Sequence, residues 1–161
     1  MELWTIGYSY WPTSERPGKM IAALKERGVT LLADVRLSPC SANVIEGHQY
    51  GPKAWTLQAG NAGIARLARD AGIAYEWLVE LGNPQRQDHE MKVLRHHLAH
   101  PEEGWPVHRG LALLADRVRR PDQVVAILCT CAEASTCHRT VVAEALRERH
   151  FGGKLSIRKV V

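Results

Sequence analysis

Two short apolar runs limit the folds open to this chain. "VTLLADV" (Val29 to Val35) and "QVVAILCT" (Gln123 to Thr130) are nearly unbroken hydrophobic stretches with β-branched residues, the pattern of strands buried on both faces inside a parallel sheet. The intervening segments read as helices that would cover such a sheet. "RPGKMIAALKER" (16–27) sets Met20, Ala23, Leu24 and Arg27 three and four apart and stops at Gly28, while "NAGIARLARDAG" (61–72) lines up Ile64, Leu67, Ala68 and Ala71. Further helices are predicted from about Gln87 to His100, over "HRGLALLADRVRR" (108–120), and over "CHRTVVAEALRERHF" (137–151), whose face carries Val141, Val142, Ala145 and Leu146 before Gly152 and Gly153. Strands are also predicted over "ELWTIG" (2–7), "IAYEWLVEL" (73–81) and "KLSIRKV" (154–160). The order β-α-β-loop-α-β-α-α-β-α-β predicts an α/β fold: one three-layer α/β/α domain over residues 1–161, Rossmann-like, with a mostly parallel sheet of about five strands and right-handed crossovers. Between Arg36 and about Gly60 periodicity is lost and Pro39, Gly47, Gly51, Pro52 and Gly60 accumulate, which predicts a long irregular connection.

Composition narrows the class of function. A chain of 161 residues has room for one well-developed core and hence one active surface. No apolar stretch approaches the roughly 20 residues of a membrane span, and "MELWTIGYSYWP" lacks the organisation of a secretion signal, so a cytoplasmic protein without membrane contact is expected. In that compartment Cys40, Cys129, Cys131 and Cys137 are reduced thiols, available for metal binding or catalysis rather than for a disulfide framework. The net charge of +4, with Arg109, Arg117, Arg119, Arg120, Arg147, Arg149 and Arg158 gathered late, permits a phosphate-bearing partner such as a nucleotide or nucleic acid; solvated basic helix faces account for it equally simply. Nothing in the composition names a cofactor or an oligomeric state.

In an open parallel sheet, ligands bind beyond the carboxyl ends of the strands, where helix N-termini also point. Those ends carry Gly7-Tyr8-Ser9, then Asp34-Val35-Arg36 followed by Ser38 to Ser41, then Glu80 to Asn83, and finally Cys129-Thr130-Cys131 with Cys137-His138-Arg139 opening the next helix. The opposite ends are bland. Asp34 and Arg36 share one side of their strand: they pair with each other, or Asp34 pairs elsewhere and leaves Arg36 to an anion. Gly7 lets a backbone or ligand come close, and Tyr8 and Ser9 are candidate hydrogen-bond donors.

The stretch "CTCAEASTCHR" supports three chemistries, of which the leading expectation is an enzyme's pocket for an anionic ligand such as a nucleotide or nucleic-acid component, with a metal-binding or redox-responsive protein as the alternative. In an anion pocket, Arg36, His138 and Arg139 hold the anion, His138 serves as acid or base and Asp34 orients Arg36. As a nucleophile, Cys137 has its thiolate favoured by the helix N-terminus and by His138 and Arg139. As a metal site, Cys129, Cys131, Cys137 and His138 are four good ligands, although the spacing C-x-C-x5-C-H matches no standard zinc finger and puts two ligands on adjacent residues. A non-catalytic interaction module remains a further alternative. The phosphatase pattern, cysteine then arginine six positions on, fails because Glu133 stands where Arg139 would require the cysteine.

Taken in order, "TIGYS", "DVRLSPCS", Tyr75, Leu81-Gly82 and "LCTC…CHRTVVAEAL" resemble the DUF488 family, over roughly Thr5 to Leu146. The resemblance implies an α/β fold and carries the family pattern onto Gly7, Ser9, Asp34, Arg36, Pro39, Ser41, Tyr75, Leu81, Gly82, Cys129, Cys137, His138 and Arg139; it implies no reaction. Departures are visible as well. The pattern has Cys-x-Glu where this chain has Cys129-Thr130-Cys131, so the carboxylate's role falls to Glu133 or is taken over by Cys131. It often has histidine at Tyr8 and arginine at Ala42.

Overall fold

A computed structural model describes residues 1–12, 14–37, 63–85 and 88–161. Five strands, β1 (Glu2–Gly7), β2 (Leu31–Asp34), β3 (Ala74–Trp77), β4 (Val125–Cys129) and β5 (Ser156–Lys159), form one sheet in the order β3-β2-β4-β1-β5. Every pairing in it is parallel. The two apolar runs supply β2 and β4, which lie side by side in its interior and are buried at every position.

Alternation along these strands distributes side chains to two helical layers. Leu31, Ala33, Val125 and Ile127 pack with α3 (Lys92–Ala99), α4 (Pro106–Arg119) and α5 (His138–Phe151), whereas Leu32, Ala126 and Leu128 pack with α1 (Arg16–Glu26) and α2 (Ile64–Asp70). The expected α/β/α layering is therefore present. Direction of travel sets the layer: β1 to β2 to β3 moves one way across the sheet through α1 and α2, and the return through α3, α4 and α5 moves the other, so right-handed crossovers put the two sets on opposite faces. The sheet departs from the 3-2-1-4-5 dinucleotide-binding order in one respect, because β4 is inserted between β2 and β1. Its C-terminal end thus feeds α5 on one face while both neighbours feed helices on the other. That is a topological switch point.

Several element boundaries shift from the expected ones. The helix expected from Gln87 begins at Lys92, because Met91 adopts a left-handed conformation (φ 56°) and the Asp88 carboxylate accepts the Val93 N–H at 3.1 Å. The third strand stops at Trp77 and continues as a 3-10 turn over Val79–Leu81, and α4 starts earlier, with Pro106 at its first position. Of the long connection, the part from residue 38 on lies outside the described residues, together with Ser41 and Cys40. No helix among the described residues is long and apolar enough to cross a membrane.

Candidate functional site at the end of the fourth strand

Cys129 ends β4 and Cys137 caps the start of α5; both are buried, and Cys131 is exposed between them. The connecting turn folds back so that the three Sγ atoms lie within 4.8 Å of one another. Its shape comes from local hydrogen bonds: Cys137 N–H and Thr140 Oγ1 both donate to the Ala134 carbonyl, at 3.1 and 2.5 Å. The Glu133 carboxylate accepts from Ser135 N and Oγ at 3.0 Å. Glu133 is therefore spent on the turn and exposed, and Cys131 is the residue gathered with the other two thiols.

Arg139 pins the turn from inside. Its Nη1 donates to the Cys131 carbonyl at 2.5 Å and its Nη2 to that of Ala132 at 3.3 Å. The side chain is 1% exposed, Nε has no partner, and no carboxylate pairs with the guanidinium among the described residues. This buried cation needs a compensating negative charge. Gly7 makes room for it: a Cβ there would lie 1.7 Å from the Cys131 carbonyl oxygen and 2.4 Å from Arg139 Nη1.

His138 completes the group. Its Nε2–H donates to the Val35 carbonyl at 2.7 Å, since a carbonyl can only accept, and this leaves the Nδ1 lone pair facing Cys129 Sγ at 3.5 Å. Burial pulls the His138 pKa down, but the hydrogen bond and charge of Cys137, with the Val35 carbonyl, more than offset this and the net shift is upward. Among the thiols, hydrogen bonds from Cys129 and Cys137, then the charges of Arg139 and of His138 in its protonated form, drive Cys131 far below an ordinary thiol despite its partial burial. Cys129 is pushed up to about 11 by its bond to Cys131, and Cys137 also rises, first through its bond to Cys129. Of the three thiols, Cys131, whose carbonyl Arg139 holds, is the one shifted toward the thiolate.

A second polar network adjoins it through Val35. Arg36 Nε and Nη2 donate to the two carboxylate oxygens of Asp34 at 2.8 and 2.5 Å, and Nη1 donates to Tyr8 Oη at 3.3 Å. Tyr8 Oη also accepts from Thr130 Oγ1 at 2.9 Å, while Tyr75 Oη donates to Asp34 at 2.7 Å and Trp77 Nε1 to the Arg36 carbonyl at 2.8 Å. Of the two pairings open to Asp34, the folded chain adopts the one with Arg36. Burial opposes the Arg36 charge, but the hydrogen bond and charge of Asp34 outweigh it and raise the pKa; Tyr75 rises through burial and then through the Asp34 charge. The Ser9 backbone N–H donates to the Thr130 carbonyl at 3.0 Å, so the β1 and β4 ends are tied together. Gly82 closes the far side, where a Cβ would come 2.5 Å from the Leu37 Cα.

Trp77 belongs to this network without having stood out as sequence, and Thr130 was legible as a strand-end residue but not as a partner of Tyr8. Thr130 meets Tyr8 across 122 positions, a contact no local pattern encodes. Trp77 is legible only once the β2–β3 register, Asp34 opposite Trp77, is known. Removing the Tyr75 hydroxyl is a direct test of the network: Tyr75→Phe is expected to lower the unfolding free energy by about 1.5 kcal/mol, the low end for a hydrogen bond to a charged group, as measured by urea denaturation.

A family model described as "Domain of unknown function DUF488" matches residues 52–146, which include β3, β4 and the Cys129 to Arg139 segment. No curated protein and no solved structure matches the chain.

Proposed function

The chain belongs to the DUF488 family, a membership that carries no reaction with it, and from the chain's own residues we propose that it is a metal-binding protein. Cys129, Cys131 and Cys137 hold a soft or borderline divalent ion of the zinc type, with His138 as fourth ligand. The observation that carries this reading is the convergence of three thiols within 4.8 Å at a switch point, against a buried guanidinium without a carboxylate partner among the described residues. A divalent ion on three thiolates has a net single negative charge, which would complement the buried Arg139 guanidinium.

His138 is presented as a ligand would be. A metal-bound imidazole characteristically donates its second N–H to a backbone carbonyl, and the Nε2–H to Val35 bond does this while turning Nδ1 toward Cys129 Sγ. Four protein ligands favour a structural or regulatory ion over a catalytic one. Replacement of the glutamate of the family resemblance by Cys131 makes the donor set softer, favouring zinc over magnesium or calcium.

The anion-pocket reading asks more of the molecule. Arg36 donates to Asp34 and Tyr8, and Arg139 to two carbonyls, so both guanidinium groups would have to exchange protein acceptors for a ligand. The thiol reading requires no rearrangement of either.

Metal analysis of the protein purified without a histidine tag provides the test. The expected content is close to one equivalent of zinc, released by acidification as the thiols take up protons and strongly reduced in Cys131→Ser. Cobalt substitution should give a thiolate-to-cobalt charge-transfer band. Less than about a tenth of an equivalent of zinc, or no such band, overturns the reading.

A further inference from the structure

A second set of ligand-bearing side chains lies at the C-terminal end of α3, separate from the thiols. His96, His100 and Glu103 each bring one donor atom to within 4.8 Å of the others. We propose that these three residues form a second metal site, for a borderline divalent transition ion such as nickel or zinc.

The helix sets the first two ligands. Residues four apart share a face, and the two imidazole rings stand 4.2 Å apart between centroids. His100 Nδ1–H donates to the His96 carbonyl at 2.8 Å, which fixes the tautomer and leaves the Nε2 lone pair for a ligand role. His100 is the C-cap of α3, and its backbone N–H donates to the same carbonyl at 3.1 Å, the last i to i−4 bond of the helix.

Glu103 is brought back to this face by the 3-10 turn Pro101–Glu103, which closes at Gly104 in a left-handed conformation (φ 72°). Its Oε2 lies 3.3 Å from His96 Nε2 and accepts from Trp105 Nε1 at 2.6 Å. Trp105 is in turn held by stacking on His97, with centroids 3.7 Å apart and planes 13° from parallel. His108 of α4 donates from Nε2 to the His97 carbonyl at 2.8 Å. The carboxylate therefore has an outer-shell donor that is itself fixed by two helices, the arrangement that orients metal ligands.

Donor chemistry selects the ion. Two imidazoles and one carboxylate suit nickel, zinc or copper, whereas magnesium and calcium favour all-oxygen sets. His96 and Glu103 are exposed and His100 is partly so, which gives an ion access from solvent and leaves coordination positions for water.

Nickel chloride titrated into untagged full-length protein loaded with a single zinc equivalent and dialysed free of excess zinc tests the proposal by equilibrium dialysis. The native chain should bind one nickel equivalent without thiolate charge-transfer absorption, and its addition should shift the imidazole nitrogen resonances of His96 and His100. The surface substitutions His96→Gln and His100→Gln together should abolish that equivalent with the fold intact by circular dichroism. Trp105→Phe, which keeps a stacking ring but loses the N–H, should weaken it by about 10-fold or more. Cys131→Ser should retain it, so that failure of the thiol site and failure of this one are separable. Equal nickel binding by the native chain and the double variant, or resonance shifts confined to other histidines, overturns the assignment.

Discussion

Asp34→Ala is expected to lower stability by about 3–5 kcal/mol, the cost of removing one partner of a buried ion pair. Asp34 is fully buried and Arg36 is 5% exposed, with the carboxylate accepting two side-chain hydrogen bonds from Arg36, one from its backbone N–H and one from Tyr75. Truncation removes the carboxylate to which both Arg36 and Tyr75 donate in the buried network. The double variant Asp34→Ala with Arg36→Met removes the buried guanidinium as well and should recover much of the loss, because replacing both members of a buried pair by apolar groups is often near neutral. Urea denaturation of the two variants checks this. Equal losses in the single and double variants would mean that something other than the uncompensated charge sets the cost.

Gly7→Ala should be nearly as damaging, for a steric reason. The added methyl would overlap the Cys131 carbonyl oxygen at 1.7 Å and meet Arg139 Nη1 at 2.4 Å. One of those atoms is backbone in a turn pinned by Arg139, so it cannot retreat without breaking the hydrogen bonds that bring the thiols together. The expected loss is about 3 kcal/mol, at the upper end for overpacking, accompanied by loss of the zinc equivalent. Gly18→Ala serves as the comparison, since nothing lies within 4 Å of a Cβ there. In the first turn of α1 it should be neutral or stabilising by up to about 1 kcal/mol. A Gly7→Ala protein with native midpoint and native zinc content would refute the account of the turn.

The candidate site was partly legible in the chain. Gly7, Asp34, Arg36, Cys129, His138 and Arg139 stood out because parallel strands place polar residues at their carboxyl ends, and the structure gathers these residues into two adjoining groups. The roles were less legible. Spacing argued against Cys129, Cys131 and Cys137 as a ligand set because C-x-C-x5-C-H fits no standard finger. Such an argument treats the intervening residues as a free loop, whereas here Arg139, from the following helix, folds the turn back by holding two of its carbonyls. Glu133 offered a carboxylate at a suitable place in the sequence, yet its side chain serves the backbone of the same turn.

By itself the sequence determined the element types and the kind of sheet. Burial on both faces requires continuous apolar strands, helices need a stripe at three- and four-residue spacing, and both periods are local. The order β3-β2-β4-β1-β5, with β4 inserted between β1 and β2, was decided only by the tertiary structure. Strand pairing over such distances depends on the handedness and packing of crossovers, which no short segment records. The same insertion brings Thr130 to Tyr8, His138 to Val35 and Arg139 under Gly7, contacts between residues far apart in the chain or on separate elements.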